Sequence, residues 1–305
     1  MQEGSRKAIV AAFAANAAIA VAKFVGFALT GATSMLAEAV HSVADSTNQG
    51  LLLLGGSRAR RSASPAHPFG YGRERYFWSF VVALVIFTLG SLFALFEGVE
   101  KLRHPHELES VTVAVVILLA AICFETWSLR TAIRESRHAK GSQSWWSFIR
   151  RSKSPELPVV LLEDIGAMAG LVFALAGVGL AEVTGNPRFD AVGTLVIGGL
   201  LGVIAVVLIV EMKSLLLGEG ASPAAVDAMA RIMGSHPSVR RVIHMRTQHL
   251  GPEELLVGAK LEMDPALDAA GMAGAIDAVE AAVRAEVPDA RVMYIEPDIA
   301  REVAP

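Results

Sequence analysis

Six stretches of this 305-residue chain are long, apolar and almost free of charge, and they limit what the chain can become more than any other feature. They run at about 8–29, 33–56, 76–100, 111–132, 158–183 and 189–213. A helix needs roughly 20 apolar residues to cross a bilayer, so each stretch is predicted to be one membrane span. The composition agrees: 53% of residues are apolar and only 19% are charged, less charge than a soluble domain of this length would carry.

From about Glu219 the pattern becomes soluble. "SPAAVDAMARIMGSHPSV" predicts a helix, with Ser222 as N-cap and Pro223 at the first helical position. "RRVIHMRTQHL" and "ELLVGAKLEMD" predict strands joined at Gly251 and Pro252. "AAGMAGAIDAVEAAVRAEV" predicts a second helix and "ARVMYIEP" a third strand. The expected architecture is an all-α membrane domain of six helices over 1–218, then a small α+β domain over 219–305. The latter has the order αββαβ, ferredoxin-like, with its helices on one face of an open sheet. A core of about 80 residues is marginal alone, so a homodimer is expected.

Basic residues in short loops set the orientation. Arg58, Arg60, Arg61, Arg73 and Arg75 follow the second span, and Arg134, Arg137, Lys140, Arg150, Arg151 and Lys153 follow the fourth. The opposite side carries only Lys101, Arg103 and Arg188. Both termini are therefore expected in the cytoplasm, and the membrane is expected to be that of a cell, such as a bacterial inner membrane. No removable signal peptide is expected, because no small-residue cleavage site follows a short apolar core. Cys123 is the only cysteine, which excludes an intrachain disulfide and a cysteine metal cluster. The formal charge of −3 disfavours nucleic acid as a partner.

Within the spans a few polar residues stand out. His41 and Asp45 are four apart in "LAEAVHSVAD" and share a helix face, with Asn48 and Gln49 close to it. Ionisable groups at membrane depth are costly and face a cavity, a partner or a transport path. The pair can supply two ligands to one divalent cation, or it can be a His–Asp hydrogen bond joining two helices. In "SPELPVVLLEDIGAMAG" Glu163 and Asp164 are adjacent and point about 100° apart. Asp164 is the better ligand; Glu163 can be a further ligand, carry protons or pair with a basic group. Glu38, nearer the end of the span, is expected only to gather cations.

These residues, taken with Asn16, Lys23, Gly26 and Ser34, "HPFGYGRERYFW", "LLED", "NPRFDAVGTLVIGGLLG" and "LEM", resemble the cation diffusion facilitators. That family consists of divalent metal/proton antiporters, and the resemblance extends over nearly the whole chain. It implies that His41 and Asp45 meet ligands of the fifth helix. Asp164 matches the second of those, but the first falls on Val160, which cannot bind metal. Glu163 is the expected replacement, as in the "LLED" branch that includes the mitochondrial zinc transporter of animals; Asn48 and water are the other options. Family sites elsewhere are depleted. In the loop after the second helix only His67 matches, beside Ser64 and Tyr71; in the soluble domain His244 and Glu296 match, but Lys260 and Tyr294 fill ligand positions. The resemblance also suggests that Arg73 interlocks with Glu211 or Glu219, unless these charges serve as ordinary cytoplasmic anchors. Trp145 and Trp146 are expected to form an amphipathic segment on the membrane surface.

One imidazole with carboxylates suits zinc, manganese, iron or cobalt and disfavours copper(I). The expected function is zinc/proton antiport that exports metal, with no resident cofactor and no catalytic residue; metal ion, protons and lipid are the partners. Two functions of other classes remain: an intramembrane metalloenzyme, which needs a base separate from the ligands, and a membrane metal sensor or scaffold that does not transport.

Overall fold

The computed structural model describes residues 3–30, 33–105 and 111–298. The helices are α1 (Glu3–Thr30), α2 (Thr33–Arg58), α3 (Glu74–Val81), α4 (Thr88–Arg103), α5 (Val111–Lys140), α6 (Trp145–Arg151), α7 (Glu156–Thr184) and α8 (Arg188–Leu217). A short π-helical stretch, Val82–Phe87, joins α3 to α4. There follow α9 (Pro223–Ser235), β1 (Val239–Gly251), β2 (Glu254–Met263), α10 (Ala269–Glu286) and β3 (Val292–Asp298).

Among the described residues four helices are long and apolar enough to cross a membrane: Glu74–Arg103, Ala114–Lys140, Glu156–Thr184 and Arg188–Leu217. At a rise of 1.5 Å per residue, 27–30 residues reach about 40–45 Å, against a hydrocarbon core of about 30 Å. In α1 the described apolar stretch is shorter, Ile9–Ala22.

The chain divides into two compact units, Met1–Arg61 with Glu74–Lys213, and Ser62–Arg73 with Ser214–Pro305. The loop after α2, assigned from sequence to the membrane domain, thus groups with the C-terminal residues. The first unit packs through small residues, as helices do in lipid, where apolar surface alone does not drive association. A Cβ on Gly198 would lie 2.9 Å from the Leu95 backbone nitrogen, and the Ser91 hydroxyl donates to the Gly198 carbonyl at 2.7 Å. Only glycine lets α8 approach α4 so closely. Lys101 pairs with Asp190 at 3.1 Å between the same two helices.

In the second unit the three strands lie in the order β1-β2-β3, with β1 antiparallel and β3 parallel to β2. Gly251 pairs with Glu254, so the hairpin turns at Pro252 and Glu253, one residue beyond the expected Gly251 and Pro252. The Ser222 hydroxyl accepts from the Ala225 amide and caps α9, with Pro223 in the first turn. Met229 and Met233 of α9 and Val279 and Val283 of α10 pack against Val257 and Leu261 of β2 to make the core. In the loop 62–73 the Ser64 and Tyr71 hydroxyls are 3.1 Å apart, and the His67 and Tyr71 rings lie 4.5 Å apart. Gly72 abuts the β1–β2 hairpin: a Cβ there would sit 2.8 Å from the Leu250 carbonyl oxygen.

Candidate functional site

The polar cluster of the first unit is built on α7. That helix is apolar over two turns after Glu156, then meets Glu163 and Asp164, both buried, at 8% and 2% exposure. The helical step separates them. Glu163 turns to α2, where Oε1 accepts from Gln49 Nε2 at 2.7 Å and from Asn48 Nδ2 at 3.1 Å. Asp164 turns to α5, where Oδ2 accepts from the Ser128 hydroxyl at 2.9 Å. The divergence read from adjacency is therefore a division of labour between two neighbouring helices.

Asn48 and Gln49 are completely buried, at 1% and 0% exposure. Both amides aim nitrogen at the carboxylate, since an ionised carboxylate accepts only. Their oxygens, Asn48 Oδ1 and Gln49 Oε1, are then left without a hydrogen-bond partner among the described residues. An amide oxygen buried in that state suits a hard divalent cation or a water molecule. His41 and Asp45 lie on the same helix, about two turns and one turn respectively before Asn48 and Gln49, but their side chains, like those of Glu38 and Lys23, fall outside those described. Among the described residues no group of three or more His, Cys, Asp or Glu side chains converges as a metal site.

Several residues of this region escaped the reading of the sequence. Ser128 is a hydroxyl in an amphipathic run and carries no signal of its own. Glu125, one turn before it, is 5% exposed; an isolated acid inside "ILLAAICFETW" was the available clue. The largest omission is Arg75 with Glu156. The guanidinium grips the carboxylate through two nitrogens, Nε to Oε1 and Nη2 to Oε2, the latter at 2.9 Å, with both side chains buried. Arg75 sits in the first turn of α3 and Glu156 in the first turn of α7, so the pair ties together the ends of two helices.

Glu211, expected as a partner of Arg73, forms an ion pair with Arg150 at 2.9 Å. The arginine that turns inward at this edge is Arg75, two residues further on, because it lies on the packed face of α3 while Arg73 precedes the helix. Glu219 lies in the second unit, where its carbonyl accepts from the His249 amide at 2.8 Å.

The sheet of the second unit sets the surroundings of Lys260. His244 pairs with Lys260 across β1 and β2, and Lys260 with Glu296 across β2 and β3. The ammonium reaches Glu296 at 2.8 Å and Asp298 at 3.2 Å. A fixed cation thus occupies the acidic end of the sheet. The hydrogen bond to Glu296, then that to Asp298, holds the Lys260 pKa above its ordinary 10.5. Tyr294 points outward and is exposed.

The profile of the cation efflux transmembrane domain matches residues 9–217. The mitochondrial proton-coupled zinc antiporter of Mus musculus is 34% identical over 265 residues, which are 86% of this chain and 47% of that protein. A metal tolerance protein of Arabidopsis thaliana is 30% identical over 262 residues, 85% of this chain and 57% of its own. The magnetosome protein MamB of Paramagnetospirillum magneticum is 23% identical over 287 residues, 92% of this chain and 89% of its own. The chain spans about half the length of the first two relatives. An apolar helical unit, buried acids within it, and a family match over more than two thirds of the sequence converge: the chain belongs to the cation efflux family of integral, multi-pass membrane transporters.

Proposed function

We propose that the chain exports a divalent cation from the cytoplasm in exchange for protons, with zinc as the cargo. The carrying observation is the buried pair Glu163–Asp164 in the apolar helix α7, each acid hydrogen-bonded to a different helix. Two carboxylates in that setting are a heavy electrostatic burden without a counter-charge, and a transported cation supplies one. The proposed ligands are His41, Asp45 and Asp164, completed by Glu163 and by the oxygen of Asn48. A nitrogen and oxygen set of this kind leans to zinc when four-coordinate and to manganese, iron or cobalt when more oxygens join. The similarity to proton-coupled zinc antiporters supports the same cargo and the same coupling.

Each ligand must shed its proton before it holds a cation, so loading releases protons. An empty site that faces the far side reprotonates and returns, which lets an inward proton gradient drive metal outward. Apparent metal affinity is expected to fall between about pH 7.5 and about pH 6, where a histidine titrates.

The accompanying architecture is six spans over 1–218, with α1 and α2 completing the four long apolar rods. Both termini face the cytoplasm of a cell membrane, and the αββαβ, ferredoxin-like domain over 219–305 pairs two copies. Lys260 makes that domain independent of metal. The test uses proteoliposomes that hold a pH dye and a zinc dye. Zinc entry with opposite proton movement is expected, and Asp164→Asn should abolish both while insertion is retained. Zinc flux with no proton movement at several pH values would leave a uniporter; absence of metal flux would sink transport altogether.

A further inference from the structure

The connection from α5 to α7 carries chemistry that transport does not use. Between 130 and 153 it holds seven Lys and Arg against one acid, Glu135, so the segment is strongly basic. The helix geometry sorts these charges. Ala121, Glu125, Ser128, Ala132 and Ser136 form the buried face of α5, at spacings of three and four. Trp127, Arg130, Arg134 and Arg137 recur at the same spacings on the exposed face. At a rise of 1.5 Å, the 27 residues of Ala114–Lys140 exceed a hydrocarbon core of about 30 Å by about 10 Å. That excess lets an end of the helix reach the headgroup layer, and the stripe runs from a tryptophan into arginines towards the C-terminal end.

Helix α6 continues this surface. Phe148 and Ile149 are buried, and Arg150 is held by Glu211 at 2.9 Å, which fixes the helix to its unit. Trp145 and Trp146 are left facing outward at 38% and 56% exposure. The Lys140 ammonium sits 5.2 Å from the Trp145 ring centroid, so the turn at Gly141 brings the end of the arginine stripe beside the indoles. Indoles favour the membrane–water boundary, and guanidinium groups bind phosphate oxygens through paired N–H donors.

We infer that Arg130, Arg134 and Arg137 of α5, with Trp145 and Trp146 of α6, form a docking surface for anionic phospholipid headgroups in the leaflet at this end of the helices. Charge complementarity selects that occupant. A second copy meeting the surface about a two-fold axis would set arginine against arginine, and a zwitterionic lipid would leave the cationic field uncompensated.

The experiment reconstitutes the full chain in phosphatidylcholine vesicles with and without phosphatidylglycerol and measures retained lipid by native mass spectrometry. The wild type is expected to retain phosphatidylglycerol above its share in the vesicle. The triple variant Arg130→Gln, Arg134→Gln, Arg137→Gln should lower that enrichment at least about tenfold, from three lost contacts with an anionic surface. Trp145→Ser with Trp146→Ser should lower it without a change in charge, while Arg60→Gln with Arg61→Gln should leave it intact. Equal enrichment in wild type and triple variant, or none in the wild type, overturns the inference. The lipid readout stands whether or not the vesicles transport zinc.

Discussion

The ion pair Arg75–Glu156 offers the sharpest test of how the first unit is held. Both groups are desolvated, at 4% and 1% exposure, and the grip is two-pronged. Arg75→Met deletes one charge and strands the other in the interior. Breaking a buried pair in this way costs about 3–5 kcal/mol. For a unit near 200 residues each kcal/mol moves Tm by about 2–4 °C, so the melting temperature should fall by roughly 6–20 °C. Replacing both partners, Arg75→Met with Glu156→Leu, removes both desolvation penalties; it should recover most of the loss, since such swaps are often neutral or stabilising. The assay is thermal unfolding of the intact chain in detergent, followed by tryptophan fluorescence, in wild type, single and double variants. Glu156 lies two helical turns before Glu163 on α7, so the pair also sets the rotation of the site helix. Zinc flux of the double variant is therefore expected to drop even where its Tm recovers. A single variant as stable as the double would refute the argument, because no stranded charge would then exist.

Gln49→Ala removes the shorter of the two amide contacts to Glu163. A hydrogen bond to a charged group contributes about 1.5–3 kcal/mol, so zinc affinity in a proteoliposome titration should weaken roughly tenfold or more, with Gln49→Glu no better. Lys260 has a folded-state pKa raised by Glu296 and Asp298; its contribution is fully present below the unfolded value of 10.5 and is lost as pH rises through the folded one. Lys260→Met should therefore flatten the alkaline limb of a pH–Tm curve for the full chain, and unchanged curvature above pH 10.5 would refute this. Gly72→Ala forces a Cβ to within 2.8 Å of the Leu250 carbonyl. The loop 62–73 should then lift from the hairpin and become trypsin-sensitive at Arg73, whereas Gly70→Ala, with open space around it but a φ of +76°, should strain the loop without that collision.

Much of the molecule was legible before any coordinates, because its constraints act locally. Long apolar runs must become helices in lipid, Ser222 and Pro223 mark a helix start, and the alternation around Gly251 marks a hairpin; these signals need no partner to be recognised. The adjacency of Glu163 and Asp164 likewise fixed their divergence, through the helical step alone. What each acid faces is a property of packing: Ser128 and Gln49 bear on the site because α5 and α2 lie beside α7, separated from it by 36 and 114 positions in the chain. Long-range pairing of charges follows the same logic. Nothing in "GYGRERYFW" tells Arg75 from Arg73, since each has an acid within reach of some arrangement, and only the side of α3 that meets α7 decides that Arg75 turns inward to Glu156 while Arg150 takes Glu211.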